Sequence, residues 1–536
     1  MINKQRIYIF DTTLRDGQQS PGAGMSFEDN ILYAKHAAEL GIDILEAGFP
    51  AASEYDFNIV NTICREISTD SSDMKVAALC QLREAQIMRT MDALQPCLGN
   101  KKARLHTYLP VDPYLMHASL GELAHDKQRI INDLANFIKI AVDQGFEVEF
   151  SPEGYSRIQD NFDFTTDVIR AAVSAGASVI NCPDTIGGAS RWQGNDYFVN
   201  HMQQHAEIMA REFPDKNIIW SVHCHNDLGL ALDNSITAVL AGPARQIEGC
   251  INGVGERAGN VALEQVSIFF EQYGRQKDCT FYTHINLHKL KTVSDFVAEK
   301  MLPRQHHWPI TGDNAACHTS GGHTNAILQN PLAYQPFEPI KVGSNISFVF
   351  GPLSGSNHAR DVLRKHGYIC TDEEKTAITQ AIKNIYATRR KGITDLELID
   401  GYKQHRAPIQ IHSIEQSESA DTDIVLQLKG QFFTLQDICI KGRNTENLIT
   451  ELHKQVQKYF PHVQLVQQQT LPTTDEYNSN HPQCIVRTTV IVDNHQSYVK
   501  HAISDSMQTA LINSYINAIN QAHTDTYYRA KELQYA

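Results

Sequence analysis

Long apolar runs, paired cysteines and concentrated basic charge are all missing from this chain of 536 residues. An unbroken run of only four apolar residues precedes Asp11, which is too short for a signal peptide or a membrane span. The 11 cysteines contain no C-x-x-C pair and are odd in number, as expected of free thiols in a reducing compartment. The 47 basic residues are outnumbered by 61 acidic ones, which argues against a nucleic-acid partner. We therefore expect a cytoplasmic protein that contacts neither membrane nor nucleic acid.

A glycine-rich dinucleotide-binding turn is also missing after the first predicted strand. Short β-branched runs alternate with longer helical stretches from residue 6 to about 274, and they form eight pairs. The predicted strands are 6–10, 42–47, 75–79, 103–109, 146–151, 178–182, 218–225 and 246–252. Eight units favour a closed (β/α)₈ TIM barrel over an open doubly wound sheet.

The predicted helices of the barrel carry start and stop signals. Ser26 and Asp29 have the spacing of a capping box, and Gly41 follows the last apolar position of the same helix. A second helix is predicted over 126–143, where apolar residues recur at helical spacing.

The pattern changes beyond residue 275 to helical segments broken by proline. A short helical unit is predicted over 361–405, followed by a polar linker over 415–422. The C-terminal strands are predicted at 424–428, 432–440 and 484–492, and the C-terminal helices at 445–459 and 498–522. We therefore predict a catalytic barrel over 1–285, a linker with helical subdomains over 286–415, and a small regulatory-like α+β domain over 416–536.

A candidate metal centre comes from the ends of two predicted strands. His223 and His225 are two residues apart, so both imidazoles face the same way in a strand. Among 24 histidines about one such pair is expected by chance, and a lone pair favours two ordinary histidines. Here the pair ends the seventh strand and Asp16 follows the first, which lies two strands away once the barrel closes. Imidazole and carboxylate ligands suit Mn²⁺, Mg²⁺ or Zn²⁺.

Two neighbouring side chains have both a functional and a structural interpretation. Asn260 follows the eighth strand and offers an amide oxygen to the metal, or else it caps the helix that follows. Arg15 is placed to stabilise a developing oxyanion, or else it forms a salt bridge with Glu46. Further polar residues, His106, Glu153 and Thr185, close other strands at the same mouth, although Ser-Pro-Glu and Pro-Asp-Thr are also ordinary turn sequences.

Together these segments resemble the 2-isopropylmalate synthase family of acyl-CoA-condensing, HMG-CoA-lyase-like barrel enzymes. The resemblance rests on Asp-Thr-Thr-Leu-Arg-Asp-Gly-Gln at 11–18, Glu-Ala-Gly-Phe-Pro at 46–50, Pro-Asp-Thr-Ile-Gly at 183–187, His-Cys-His-Asn-Asp-Leu-Gly at 223–229 and Gly-Val-Gly-Glu-Arg-Ala-Gly-Asn at 253–260. It covers the barrel nearly end to end and continues weakly through 318–334, which resembles the family's linker region.

The resemblance implies condensation of acetyl-CoA with a 2-oxo acid, followed by thioester hydrolysis. The implied metal ligands are Asp16, His223, His225 and Asn260. The implied catalytic residues are Arg15 for the alkoxide, His323 with Glu256 as the base pair, and Tyr334 as a supporting donor. A monovalent cation such as K⁺ is left open as a second ion. The family's linker histidine and tyrosine enter the active site of the partner subunit, which implies a homodimer or a larger homo-oligomer.

The resemblance also places the residues that bind the oxo acid. They are Leu79, His106, Tyr108, Ser151, Glu153, Asn181, Pro183 and Thr185. The part of this set that would receive the side chain of the acid carries no fixed positive charge, so a second carboxylate would be poorly stabilised. An isopropyl group fits better, which favours 3-methyl-2-oxobutanoate, while pyruvate is discriminated against by only about 1–3 kcal/mol.

Two segments depart from the family pattern. Gly-Pro-Leu-Ser-Gly-Ser at 351–356 stands where family members commonly have Gly-Lys-His-Ser-Gly-Arg, and three basic residues are lost. The C-terminal glycine-rich turn reads Gly-Arg-Asn-Thr-Glu-Asn at 442–447, without the usual proline and second glycine. Because bulkier residues obstruct close backbone approach, leucine feedback is predicted to be weakened or changed.

Other classes of function compete with this interpretation. A citramalate synthase, a homocitrate synthase or a lyase would use a related site with another substrate. A non-catalytic, metal-binding regulatory paralogue has the two departures as its support. A metal-dependent hydrolase of the amidohydrolase type also uses H-x-H in a barrel, but there the pair usually ends the first strand.

Overall fold

The computed structural model describes residues 3–388, 392–416, 423–430, 438–441, 445–471, 484–492 and 496–528. The chain divides into two units, Met1–Ala316 with Phe337–Asn345, and Cys317–Pro336 with Ile346–Ala536. Within the described ranges no helix is long and apolar enough to cross a membrane. The ten cysteines whose side chains are described are all free thiols.

Eight parallel strands in the first unit close into a barrel in chain order. They are β2 (Tyr8–Asp11), β3 (Ile44–Glu46), β4 (Lys75–Gln81), β5 (Ala103–Pro110), β6 (Glu147–Glu153), β7 (Val179–Asp184), β8 (Ile219–Cys224) and β9 (Ala244–Gly249), preceded by β1 (Asn3–Arg6) and followed by β10 (Cys279–Tyr282). The short strands β1 and β10 form a separate parallel pair, and β9 pairs with β2 to complete the barrel. Each predicted strand overlaps one barrel strand, so the predicted (β/α)₈ fold is confirmed.

Ten helices belong to this unit. They are α1 (Phe27–Leu40), α2 (Glu54–Thr69), α3 (Glu84–Leu98), α4 (Pro113–Leu120), α5 (Lys127–Asp143), α6 (Phe162–Ala175), α7 (Phe198–Glu212), α8 (Ala231–Leu240), α9 (Leu263–Tyr273) and α10 (Leu290–Lys300). Ser26 caps α1 by accepting a hydrogen bond from the Asp29 backbone N–H at 3.0 Å, and Gly41 ends it with φ 85°. Asp29 bonds the Ser26 hydroxyl instead of closing the reciprocal half of a capping box.

The barrel interior contains a small apolar cluster next to a buried charged network. Phe10, Ile44 and Ala77, from β2 to β4, form a small buried cluster. On the adjacent strand Arg104, which is in register with Ala77, is almost fully buried and donates to Glu149 at 3.0 Å and to the Gln246 amide oxygen at 2.8 Å. A buried guanidinium is tolerated because such partners satisfy it.

Replacing Arg104 with methionine should destabilise the barrel by about 3–5 kcal/mol, because it leaves the Glu149 carboxylate and the Gln246 amide oxygen without their buried donor. Urea unfolding at pH 7 measures the change. The exposed pair of Arg170 with Glu212 gives a matched control, and Arg170→Met should leave the midpoint nearly unchanged. Equal effects of the two substitutions would contradict a structural role for the buried Arg104.

The second unit begins with a helical part. It contains the paired strands β11 (Cys317–His318) and β12 (Ser347–Phe348) and the helices α11 (Gly321–Gln329), α12 (Ser356–Lys365), α13 (Lys375–Ile385) and α14 (Asp395–Arg406). Helices α12, α13 and α14 share one apolar cluster that includes Leu363, Ile382 and Leu398. The predicted helical unit over 361–405 is confirmed, and its first helix begins at Ser356.

The C-terminal part repeats one pattern of three strands followed by a helix. The elements are β13 (Ile409–Gln416), β14 (Asp423–Gly430), β15 (Ile438–Lys441), α15 (Thr445–Gln457), β16 (Val463–Leu471), β17 (Cys484–Val492), β18 (Gln496–Ser504) and α16 (Met507–Tyr527). Both sheets are antiparallel. The predicted α+β character is therefore confirmed, and the strand predicted at 484–492 has the observed bounds.

Other predictions for this part were incomplete or wrong. The helix predicted over 498–522 is wrong at its start, because β18 occupies 496–504 and α16 begins only at Met507. Strands β13 and β16 were not predicted. Residues 417–422 of the predicted linker, 432–437 of a predicted strand and 442–444 of the departing glycine turn lie outside the described residues. The three-part division at 285 and 415 stays a prediction.

Candidate metal centre

Asp16, His223 and His225 lie together at the carboxyl-terminal mouth of the barrel. Their ligand atoms all lie within 4.8 Å of one another, and His223 Nε2 is 3.9 Å from Asp16 Oδ2. Asp16 follows β2 and the histidines end β8, with β9 between the two strands. All three side chains are buried. Barrel closure therefore joins ligands that are more than two hundred positions apart in the chain.

The electrostatics of the three groups suit a divalent cation. Burial lowers the pKa of His223 and of His225 to about 4, so both imidazoles are neutral at pH 7 and keep a free lone pair. Burial acts to raise the pKa of the Asp16 carboxyl, but the Arg15 guanidinium beside it holds that pKa well below its usual range. One anion and two neutral imidazoles are ligands that a borderline divalent ion prefers.

Asn260 supports this site in two ways. Its amide Nδ2 donates to Asp16 Oδ1 at 2.8 Å, while its Oδ1 is buried with no hydrogen-bond partner among the described residues. His225 Nδ1 is buried and unpartnered in the same sense. Buried polar atoms normally have hydrogen-bond partners. Two buried atoms without partners at this position therefore fit a site that binds a metal cation. The alternative role of Asn260 as a helix cap is wrong, because α9 begins at Leu263 with Ala262 in the cap position.

The loop after β9 approaches the metal ligands so closely that it requires glycine. Gly255 has φ 154°, and a Cβ there would meet Asn260 Nδ2 at 2.2 Å and Asp16 Oδ1 at 2.8 Å. The next residue, Glu256, directs its backbone N–H at Asp16 Oδ1 at 3.4 Å. Close packing against the candidate metal ligands therefore explains why the motif at 253–260 has glycine at position 255.

Arg15 is held in the cavity by two carboxylates. Its Nε donates to Glu46 Oε2 at 2.6 Å and its NH1 donates to Asp16 Oδ2 at 2.7 Å. Burial acts to raise the pKa of Glu46, but Arg15 and His106 lower that pKa to about 2. The salt bridge with Glu46 therefore exists, and it orients the guanidinium at the cavity wall.

A hydrogen-bonded chain continues from Glu46 across the cavity floor. His106 Nδ1 donates to Glu46 Oε1 at 2.6 Å, and its Nε2 accepts from the Ser151 hydroxyl at 2.8 Å. Asn181 Nδ2 in turn donates to Ser151 Oγ at 2.8 Å. This order of donors fixes the tautomer of His106 and the direction of the Ser151 hydroxyl.

A cavity of about 220 Å³ contains all of the predicted substrate-binding residues. Its lining consists of Arg15, Asp16, Gln19, Leu79, His106, Tyr108, Ser151, Glu153, Asn181, Pro183, Thr185, His223, His225 and Glu248. Among these residues Arg15 is the one fixed cation. Thr185 also accepts a hydrogen bond from the Gly154 N–H at 2.9 Å, so it has a turn-stabilising role as well as a place at the cavity wall.

Glu248 and Gln19 line the cavity but were not predicted from the sequence. Glu248 is fully buried on β9, and its Oε2 lies 3.2 Å from His223 Nδ1. A carboxylate in this position fixes the tautomer of the imidazole and leaves Nε2 free to bind a metal. Glu248 and Gln246 are two residues apart and face the same side of β9, but strand periodicity alone does not say whether that side is the barrel interior.

Replacing Glu248 with glutamine should weaken Mn²⁺ binding about 10–100-fold, because the orienting carboxylate of His223 is lost. Calorimetric titration of the purified protein with Mn²⁺ measures the effect. Glu264→Gln is the matched control, since Glu264 is an equally buried carboxylate that accepts from Trp308 and from the Asn252 backbone but does not contact His223. Unchanged Mn²⁺ affinity in Glu248→Gln would show that His223 needs no such orientation.

The other predicted catalytic residues lie in two different units. Glu256 is an exposed residue of the first unit, directly after Gly255. His323 and Tyr334 belong to the second unit, where their rings stack at 3.8 Å between centroids and 15° between planes. The pairing of His323 with Glu256 stays a prediction.

Comparison with known proteins agrees with the fold. The HMGL-like family profile matches residues 6–297, and the profile described as homocitrate synthase post-HMGL domain-like matches residues 310–390. The 2-isopropylmalate synthase of Saccharolobus solfataricus is 35% identical over 393 residues, which cover 73% of this chain and 94% of that protein. The one from Pelotomaculum thermopropionicum is 36% identical over 402 residues, or 74% of each chain. A Bacillus subtilis HMG-CoA lyase structure has a TM-score of 0.44 at 17% identity, over 56% of this chain and 95% of that one.

The barrel, with its carboxylate and two imidazoles at the mouth, is that of an HMGL-like enzyme. The matches extend beyond the barrel over about three quarters of the chain, and they agree with each other in name. The chain belongs to the 2-isopropylmalate synthase family. The amidohydrolase alternative is excluded by this membership and by the position of the H-x-H pair at the end of the seventh barrel strand, β8.

Proposed function

We propose that this protein condenses acetyl-CoA with 3-methyl-2-oxobutanoate and water to give 2-isopropylmalate and CoA, the first committed step of leucine biosynthesis. One observation supports this proposal most directly. A single cavity joins the candidate metal ligands with a pocket in which Arg15 is the one fixed cation, and that cation is already paired with Glu46 and Asp16. Such a pocket suits an acid whose remaining group is apolar.

The cavity residues fit the requirements of the condensation. Asp16, His223, His225 and the Asn260 amide oxygen would hold a divalent ion such as Mn²⁺, Mg²⁺ or Zn²⁺, which would supply Lewis acidity toward a ketone. Arg15 stabilises the negative charge that develops on the ketone oxygen, because its guanidinium is held at the wall of the same cavity. Its two carboxylate partners fix this orientation before substrate enters, so little reorganisation is needed during the reaction.

A separate group must remove a proton from the methyl carbon of acetyl-CoA. We assign this role to His323, with Glu256 as its partner and Tyr334 as a supporting donor. The stacked rings of His323 and Tyr334 restrict the orientation of the imidazole, as a general base requires. Since this pair resembles the linker residues that act on a neighbouring subunit in the family, we also propose that the protein works as a homodimer or a larger homo-oligomer.

The side chain of the oxo acid is selected by size and by charge. Leu79 and Pro183 give the cavity apolar wall, and a hydrogen-bonded chain of His106, Ser151 and Asn181 leaves only the buried Asn181 Oδ1 without a partner among the described residues. A second carboxylate, as in 2-oxoglutarate, would find no unpaired cation among the lining residues. Pyruvate would fit the cavity without a steric or charge clash, but its smaller side chain would leave part of the apolar wall without contact.

A substrate panel tests the proposal. Wild-type enzyme with acetyl-CoA and Mn²⁺ is offered 3-methyl-2-oxobutanoate, pyruvate and 2-oxoglutarate, with thiol release and product mass as readouts. We expect kcat/KM for 3-methyl-2-oxobutanoate to exceed that for pyruvate about 10–200-fold, the range for missing methylenes in an apolar pocket. A preference for pyruvate or 2-oxoglutarate would instead identify a citramalate or homocitrate synthase, and release of acetyl-CoA from a cleaved product would identify a lyase.

A further inference from the structure

A second cavity adjoins the one that contains the candidate metal ligands. It has a volume of about 300 Å³ and shares two lining residues, Tyr108 and Glu153, with the first cavity. Its apolar lining comes mainly from the segment between β5 and β6. This lining includes Leu82, Leu109, Leu120, Leu123, Ile130, Leu134 and Phe137. The second cavity is therefore larger than the first, and its lining is mixed, because Gln81, Arg83, Ser119 and Asp133 also line it.

Tyr108 stands at the boundary between the two cavities. Its half-buried ring lines both of them, and its hydroxyl accepts a hydrogen bond from Gln81 Nε2 at 3.3 Å. Gln81 is directly opposite Tyr108 in the register of β4 and β5. Gln86 holds Gln81 in turn, since Gln86 Nε2 donates to Gln81 Oε1 at 3.2 Å and Gln86 Oε1 accepts from the Gln81 backbone N–H at 3.0 Å. The ring is thus fixed in place as a partition.

We propose that Tyr108, anchored by Gln81, sets the upper limit on the chain length of the accepted 2-oxo acid by closing off this second cavity. The inference rests on the proposed function and adds a specificity-determining residue to it. With the ring in place, the side chain of the acid has only the first cavity of about 220 Å³. Without the ring, a straight apolar side chain can continue past Glu153 into the second cavity, where leucine, isoleucine and phenylalanine side chains cover it.

The size of the expected gain follows from the burial of methylene groups. Each buried CH₂ contributes about 0.8 kcal/mol, which corresponds to about a fourfold change in a rate or binding constant. A side chain with three methylenes in the second cavity should therefore gain about 50-fold in kcat/KM relative to the same acid with wild-type enzyme.

The test compares wild type, Tyr108→Ala and Tyr108→Phe on 3-methyl-2-oxobutanoate, 2-oxohexanoate and 2-oxooctanoate. We expect Tyr108→Ala to raise kcat/KM for 2-oxooctanoate about 50-fold relative to wild-type enzyme with the same acid, mostly through a lower KM. Tyr108→Phe keeps the ring and loses only the bond to Gln81, so it should gain little. Circular dichroism and thermal unfolding check the fold, and Tyr108→Val replaces Tyr108→Ala if the latter is unfolded.

A second substitution checks that the chain enters the proposed cavity. Leu123 lines the second cavity and not the first, and its partial exposure makes a larger side chain tolerable. The double variant Tyr108→Ala/Leu123→Trp should lose the increase in kcat/KM for 2-oxooctanoate that Tyr108→Ala alone produces. A gain that persists in the double variant, or an active wild type with no gain in Tyr108→Ala, overturns the inference. Wild type that condenses none of the three acids overturns the proposed function instead.

Discussion

His225→Ala should lower kcat/KM for condensation about 1000-fold or more while leaving the barrel folded. The substitution removes one of three ligand atoms that lie within 4.8 Å of one another. A Lewis acid contributes several kcal/mol of transition-state stabilisation, and each 1.36 kcal/mol is a factor of ten in rate. Thiol release from acetyl-CoA measures the rate, and calorimetric titration with Mn²⁺ measures the loss of metal affinity in the same preparation.

The control for this prediction is a histidine of similar burial outside the cavity. His201 on α7 is 7% exposed, as His225 is, and His201→Ala should keep both Mn²⁺ affinity and turnover. Asp16→Asn keeps the shape of the ligand and removes its charge, so it should resemble His225→Ala in both measurements. If wild type turned over in chelated, metal-free buffer, the metal centre would have no part in the reaction.

The barrel could be predicted because its strands are short apolar runs that end abruptly in polar residues. Buried parallel strands are apolar on both faces, and at their carboxyl ends the chain opens into the cavity. Asp16 after β2 and His223 with His225 at the end of β8 show this change of character most clearly. Eight repeats of the pattern determined the order of the strands, and closure of the barrel then determined which strand ends meet.

The supporting residues of the site could not be predicted in the same way. Glu248 lies inside a strand, where a single acidic residue is not distinguished from an outward-facing one until the register is known. The two cavities that meet at Tyr108 depend on the path of the segment between β5 and β6, which no local pattern specifies. The candidate metal ligands lie at the ends of strands, where the sequence pattern identified them, whereas the side chain that orients His223 lies within a strand.

The C-terminal part shows how two periods can be confused. Residues 498–504 alternate in burial, as expected of the strand β18. Because α16 begins only three residues after this strand, at Met507, the two segments were predicted as one helix. Pairing with β17 along the full length of β18 decides in favour of a strand. The prediction of weakened leucine feedback depends partly on residues 442–444, which lie outside the described ranges, so it stays a prediction that a steady-state assay with leucine can test.

His323→Ala should abolish exchange of the acetyl-CoA methyl protons with deuterium while leaving binding of the oxo acid intact. A general base contributes about 10²–10⁴-fold to a proton transfer, so exchange should fall by at least about 100-fold. The measurement is mass spectrometry of acetyl-CoA recovered from D₂O, and calorimetry with 3-methyl-2-oxobutanoate and Mn²⁺ reports binding of the acid. The two readouts separate loss of the base from loss of the metal site, since His225→Ala should impair both.

The neighbouring His318 provides the control for the base. Its ring lies 5.9 Å from that of His323 between centroids, and it bonds the Gln335 side chain instead of stacking on Tyr334. If proximity of an imidazole were enough, His318→Ala and His323→Ala would slow exchange equally. If the stacked geometry selects His323, only His323→Ala should do so, and Tyr334→Phe should keep the stacking and retain most of the exchange. Unimpaired exchange in His323→Ala would exclude this residue as the base and direct the search to other groups near the methyl carbon.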